Sequence, residues 1–294
     1  MRTSLAGLVP VEVPQPPVMK HDTVAPVANQ LPGEAMPRAY DASTARGERA
    51  DLFQAVFAIV RYDSQGKMHL LGTGFFITTN GLFVTARHVL MDTFDNKGQQ
   101  KYSIGIIQFL PASVYLHRPI LRCASHPTAD VTVGVAAPMK SNTTGLHLTN
   151  KVLTLTLVPP GVDARVVTYA YPKHANLITD TRQQINFIPT FYDGDIKEYY
   201  PNGRDSVLLP EPCYRTSIRI HGGASGGPVF SRSGSVFGVN STGIDGTDIS
   251  YVSRIDEILA LTIDGVAIEA GEPASPVTVL QMVDAGYLIV RRDV

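Results

Sequence analysis

The run Gly223-Ala224-Ser225-Gly226-Gly227-Pro228 presents one serine on a turn flanked by glycines. A serine hydroxyl is a weak nucleophile, and it gains chemistry only where a base takes its proton and a third group orients that base. Both residue types stand upstream. His88 closes Thr85-Ala86-Arg87-His88 after an apolar run, and Asp130 opens Asp130-Val131-Thr132-Val133-Gly134-Val135. Such a set is suited to nucleophilic catalysis: Ser225 attacks, His88 accepts the proton and Asp130 holds the imidazole.

The chain order His88, Asp130, Ser225, with spacings of 42 and 95 positions, narrows the architectures that can hold the set. Gly223-Ala224-Ser225-Gly226-Gly227 also fits the Gly-x-Ser-x-Gly elbow of α/β-hydrolases, but those place the histidine after the serine. Here the last of the eight histidines is His221, so that architecture is excluded. The order Asp, His, Ser of subtilisin-type enzymes does not match either.

With that order, the chain resembles the trypsin/chymotrypsin-like serine peptidases, and among them the bacterial branch without disulfides or zymogen activation. Three segments carry the resemblance: Gly72-Thr73-Gly74-Phe75-Phe76-Ile77 leading to Val84-Thr85-Ala86-Arg87-His88, then His126-Pro127-Thr128-Ala129-Asp130-Val131, then Ser225 with its glycines. It spans roughly residues 50 to 265. The resemblance implies a serine endopeptidase working through an acyl-enzyme on protein or peptide substrates, with the N–H groups of Gly223 and Ser225 as the oxyanion hole. It places the acid at Asp130, at a strand start, rather than at Asp92 or Asp95, which are closer to His88 in a polar loop. Arg219, six positions before the nucleophile, falls near the base of the primary pocket, where it would favour an acidic side chain; turned to solvent or paired with an acid instead, it leaves a small or apolar preference open. Ser241-Thr242-Gly243 resembles the segment that pairs with substrate backbone, and His221 lies on the pocket loop. His126 is expected to cap the loop before Asp130. Animal members pair a new N-terminus with an aspartate directly before the serine; here that position is Ala224, so the oxyanion loop must be held by other means, permanently or through a partner.

The elements that must position these groups are short apolar runs broken by turn residues. Phe53–Arg61, Leu70–Thr78, Leu82–Thr85, Ile104–Leu110, Val114–Leu121 and Val131–Ala136 suit a first antiparallel barrel over residues 49–150. Val152–Val158, Ala164–Tyr171, Gln184–Tyr192, Thr216–Ile220, Pro228–Ser231, Ser235–Ser241 and Ile249–Ser253 suit a second over 151–270. The expected fold is therefore all-β, two consecutive barrels with the site in the cleft between them. Asp256–Thr262 reads as a short closing helix, and Ser275-Pro276 as the cap of another over Val277–Ala285, within a short extension over 271–294. Residues 1–48 are Pro-rich and aperiodic, and read as a mobile tail.

Composition closes several other routes. A formal charge of -1 over 294 residues, without a basic run, argues against nucleic acid. Cys123 and Cys213 are too few for a disulfide framework and have no metal-ligand spacing, so buried free thiols, no metal and no cofactor are expected. The apolar opening before Pro10 is too short for an export signal and no run suits a membrane span, which predicts a cytoplasmic protein without membrane partners. A protease-like peptide-binding module, or an effector activated by a regulatory protein partner, is the competing expectation.

Overall fold

A computed structural model describes residues 51–292, apart from 92, 94–100, 111–113, 140–146, 148, 173–176, 179–182, 185–186, 245 and 267–273. The expected tail, Asp92 and Asp95 lie outside the described residues.

A one-turn helix α1 (Leu52–Ala55), capped by Asp51, leads into the first barrel. Its strands are β1 (Val56–Tyr62), β2 (Met68–Phe76), β3 (Leu82–Thr85), β4 (Ser103–Leu110), β5 (Val114–Ser125) and β6 (Thr132–Ala136), and they close in the order β1-β2-β3-β6-β5-β4. Short β-branched and aromatic runs fill its interior, where the Phe57 ring meets Phe76 at 4.5 Å and Phe83 edge-on at 5.4 Å. Phe83 lies across Gly134 of the paired strand; a Cβ there would sit 2.3 Å from the ring. Each fully buried ring contributes roughly 1.5–3 kcal/mol through area removed from water. Between β3 and β6 on the chain, the helix α2 (Arg87–Met91) carries His88 to the barrel rim.

The second barrel is built from β8 (Arg165–Ala170), β11 (Thr190–Tyr200), β12 (Cys213–Thr216), β13 (Pro228–Phe230), β14 (Val236–Gly243) and β15 (Ser250–Arg254). They run β13-β8-β11-β12-β15-β14, and β13 pairs with β14 to close the ring. Two short strands extend it in parallel beyond β14, β7 (Leu155–Thr156) and then β18 (Val290–Arg291). Leu177–Ile178 (β9) and Gln183–Gln184 (β10) form a separate small hairpin. The double barrel matches the expected all-β fold, and the two units share core: Val167, Tyr169, Tyr171 and Phe230 belong to the same apolar cluster as Phe57 and Phe76. Among the described residues no helix is long and apolar enough to cross a membrane.

Several elements differ from the sequence expectation. β11 occupies Thr190–Tyr200 rather than Gln184–Tyr192, because its outer face is charged: Arg165 bridges Asp193 and Asp195 across the pair while Gly194 and Ile196 face inward. β12 ends at Thr216, and Ile218 is buried without joining a ladder. Beyond the second barrel a 3-10 helix spans Ile255–Ala260, after which β16 (Thr262–Val266) and β17 (Ser275–Thr278) pair as a hairpin. Ser275-Pro276 therefore lies in a strand. The helix that follows, α3 (Val279–Asp284), is capped by Thr278 in a reciprocal capping box with Gln281.

Candidate active site

His88 and Asp130 meet at the rim of the first barrel. His88 Nδ1 lies 2.8 Å from Asp130 Oδ2 and 3.1 Å from Oδ1, and the His88 backbone N–H donates to Oδ1 at 2.9 Å. An ionised carboxylate only accepts, so the Nδ1 proton is fixed and Nε2 is left as the basic nitrogen. The imidazole is 44% exposed and the carboxylate 13%, which leaves the ring open to the cleft and its partner sheltered. Burial works to raise the Asp130 carboxyl, but the hydrogen bond and charge of His88, with the Ser241 hydroxyl, outweigh it and hold it below the usual carboxylate range.

The segments carrying the two residues are tied together. Arg87 donates to the Pro127 carbonyl at 2.6 Å. His126 Nδ1 accepts the Ala129 N–H at 2.8 Å and the Thr128 N–H at 3.3 Å, closing the loop that delivers Asp130 in the capping arrangement expected from the sequence.

Ser225 sits at the junction of the barrels. The Ala224 N–H donates to the His221 carbonyl at 3.0 Å, and Gly223 has φ 91°, a turn conformation that a side chain resists. Gly226 has φ 85°, and a Cβ there would lie 2.2 Å from both Thr73 O and Thr85 Oγ1, so nothing larger fits. From β2, Thr73 reaches across: its N–H donates to the Ser225 carbonyl at 2.8 Å and its hydroxyl to the Gly223 carbonyl at 2.8 Å. From β14, Asn240 Nδ2 donates to the Ala224 carbonyl at 3.3 Å. Among the described residues neither the Gly223 N–H nor the Ser225 N–H is engaged by an acceptor.

Ser225 and His88 are not joined. The Ser225 hydroxyl donates to the Ser241 carbonyl at 3.0 Å, and no hydrogen bond links it to the imidazole. Ser241 is available because the β14–β15 register slips between Asn240, opposite Val252, and Gly243, opposite Ser250. Such a bulge re-aims side chains, and here it turns the Ser241 hydroxyl onto Asp130 Oδ2.

The remaining expected positions line the same region. Thr242 and Arg219 are exposed, and Arg219 has no ion-pair partner among the described residues. His221 is exposed with its ring edge-on to Tyr192 at 5.9 Å. Ile220 lies against Gly243, whose Cβ would sit 2.9 Å from it. Among the described residues no group of three histidine, cysteine or acidic side chains is placed to hold a metal ion.

A family model described as the trypsin-like peptidase domain matches residues 72–239, more than half of the chain. The chain belongs to the trypsin-like peptidase family. No curated protein matches it in sequence. Among solved structures, Rv3671c from M. tuberculosis H37Rv, in an inactive serine-to-alanine form, matches with 20% identity and a TM-score of 0.47, covering 70% of this chain and 83% of that one. Its active form gives 21% and 0.48 over 70% and 78%, and Deg5 gives 18% and 0.49 over 69% and 84%.

Three residues that serve the site of this trypsin-like peptidase were not singled out from sequence: Thr73, Arg87 and Asn240. Thr73 stands inside the Gly72-Thr73-Gly74 motif and Arg87 beside His88, so adjacency is a usable signal for both. Asn240 had a different one: a buried amide within an apolar strand needs partners, and here they are Thr168 and Ala224.

Proposed function

We propose that the protein is a serine endopeptidase in which Ser225 attacks the peptide carbonyl, His88 Nε2 takes the hydroxyl proton, and the same proton passes to the leaving amine. Water then hydrolyses the acyl-enzyme by the reverse use of His88. Asp130 orients the imidazole and stabilises its positive charge, and the N–H groups of Gly223 and Ser225 receive the developing oxyanion. The observation that carries this reading is the bidentate Asp130–His88 contact, linked through Ser241 to a serine whose own N–H and that of Gly223 are unengaged. An extended substrate would pair with Ser241–Gly243, with Arg219 and His221 near its side chain before the cut bond.

The test is labelling of the full-length chain with a fluorophosphonate probe and mapping of the adduct by mass spectrometry. Modification at Ser225, absent from Ser225→Ala, is expected. Labelling that persists in Ser225→Ala would overturn the nucleophile assignment.

The engagement of Ser225 with Ser241 rather than His88 favours a second reading, an effector that is slow until a partner or substrate re-orients the serine. Labelling that rises sharply on addition of cell lysate would select it.

A further inference from the structure

A trypsin-like site needs two backbone N–H groups held at one point, and Ala224 before the serine offers no charge to anchor them. The peptide planes show what holds the Ser225 donor, and the peptide that joins it to Gly223, instead. A peptide is planar and trans, so fixing its carbonyl on one side aims its N–H to the other. The Ala224–Ser225 peptide has its carbonyl held by Asn240 Nδ2 at 3.3 Å and by the Gly227 N–H at 3.1 Å, which directs the Ser225 N–H the opposite way. The Gly223–Ala224 peptide is held at both ends, its carbonyl by the Thr73 hydroxyl at 2.8 Å and its N–H by the His221 carbonyl at 3.0 Å.

The direction of the Thr73 proton is itself determined. Thr73 Oγ1 accepts the Tyr171 N–H at 2.9 Å, so its single O–H is left for Gly223. Thr73 is fully buried, and its carbonyl accepts the Thr85 hydroxyl at 2.7 Å, so the residue cannot swing away. One side chain of the first barrel therefore grips the nucleophile loop of the second, beside the direct bond from its own N–H to the Ser225 carbonyl.

We propose that Thr73 is a positioning residue for the oxyanion site: its hydroxyl, opposed by Asn240 from the second barrel, holds the Gly223–Ala224 peptide that links the Gly223 and Ser225 donors, without a charged anchor. The proposal rests on the reading of Ser225 as nucleophile given above. The Thr73 hydroxyl touches no substrate; it acts through the Gly223 carbonyl. Valine matches threonine in shape but has no proton for Gly223 and no lone pair for Tyr171, whereas serine keeps both.

The experiment measures the second-order rate of fluorophosphonate labelling, across pH, for full-length wild type, Thr73→Val, Thr73→Ser and Ser225→Ala, with folding followed by circular dichroism. Attack on the probe builds charge on its phosphoryl oxygen, so its rate reads the oxyanion donors. Thr73→Val is expected to label on the order of 10²-fold more slowly, as when an oxyanion donor is lost, with Thr73→Ser restored to within about threefold. The pH at which labelling is half-maximal should stay put, since His88 and Asp130 are untouched. A folded Thr73→Val that labels within about threefold of wild type overturns the clamp. If Thr73→Val does not fold, Asn240→Leu removes the opposing grip on the Ala224 carbonyl, and an unchanged rate in that variant overturns the proposal equally. Labelling that disappears in Ser225→Ala but is unchanged in Thr73→Val refutes the clamp alone; labelling that survives Ser225→Ala refutes the nucleophile, and the clamp with it.

Discussion

The Ser225 hydroxyl donates to the Ser241 carbonyl, and the Ser241 hydroxyl donates to Asp130, so one residue touches both the proposed nucleophile and the proposed acid. For attack as proposed, Ser225 rotates about its side-chain bond from that carbonyl toward His88 Nε2. A substrate backbone N–H arriving at the same carbonyl would compete with the serine for it and favour the rotation. Ser241→Ala keeps the carbonyl and removes the hydroxyl from Asp130. A loss of roughly tenfold in kcat/KM is expected, the scale of one hydrogen bond to a charged group. Unchanged kinetics would show that the Ser241 hydroxyl contributes nothing beyond the two bonds Asp130 receives from His88.

Ser225→Ala, His88→Ala and Asp130→Asn should each fold and each reduce proteolysis on the order of 10³-fold or more, without the losses adding, because the three groups act as one unit. Hydrolysis of a fluorescently labelled unfolded protein measures this. Near-normal turnover in Asp130→Asn would require another acid for His88.

The first barrel was legible because β1, β3, β4 and β6 are buried on nearly every position and read as continuous apolar runs; Leu82–Thr85 appears in the structure with the bounds read from sequence. β11 was misplaced for the opposite reason, since its ion-paired outer face hides the period-two pattern carried by Gly194 and Ile196. The contact between His88 and Asp130 followed from motif order. The grip of Thr73 on Gly223 did not, because it joins residues 150 positions apart through one hydroxyl, and no local pattern encodes such a meeting. The parking of Ser225 on Ser241 was invisible for a similar reason: it depends on a one-residue bulge in β14 that composition does not mark.

The two cysteines should be bystanders. Burial pushes the Cys213 and Cys123 thiols up to about 11, so little thiolate exists at neutral pH, and Cys213 is almost wholly enclosed. Iodoacetamide at neutral pH is expected to leave fluorophosphonate labelling unchanged. Inactivation that substrate protects against would move the chemistry from serine to a thiol.

Arg219 is exposed and without an ion pair among the described residues, so it is free to meet an acidic side chain before the cut bond. A peptide-library profile of the wild type should favour Glu or Asp there, and Arg219→Ala should erase the preference. A wild-type profile of small aliphatic residues would instead assign the pocket to Ile220, which packs on Gly243.

Acid should dissolve the Asp130 contribution in a defined direction. Its carboxyl is held below the usual value of 3.8, so the folded state binds the proton less readily than the unfolded chain. The stabilisation is then fully present above the unfolded value and fades as pH falls through the lower, folded one. Melting temperatures of wild type and Asp130→Asn, compared from pH 7 downward, should differ while the carboxyl is ionised and converge as pH falls below the unfolded value and through the folded one. The gap at neutral pH combines loss of the carboxylate with whatever the amide retains of the His88 and Ser241 contacts, but of the two groups compared at position 130 the amide carries no proton equilibrium. Convergence is therefore the informative feature, and a gap that stays constant down to acid denaturation would show that the Asp130 charge adds nothing to the fold.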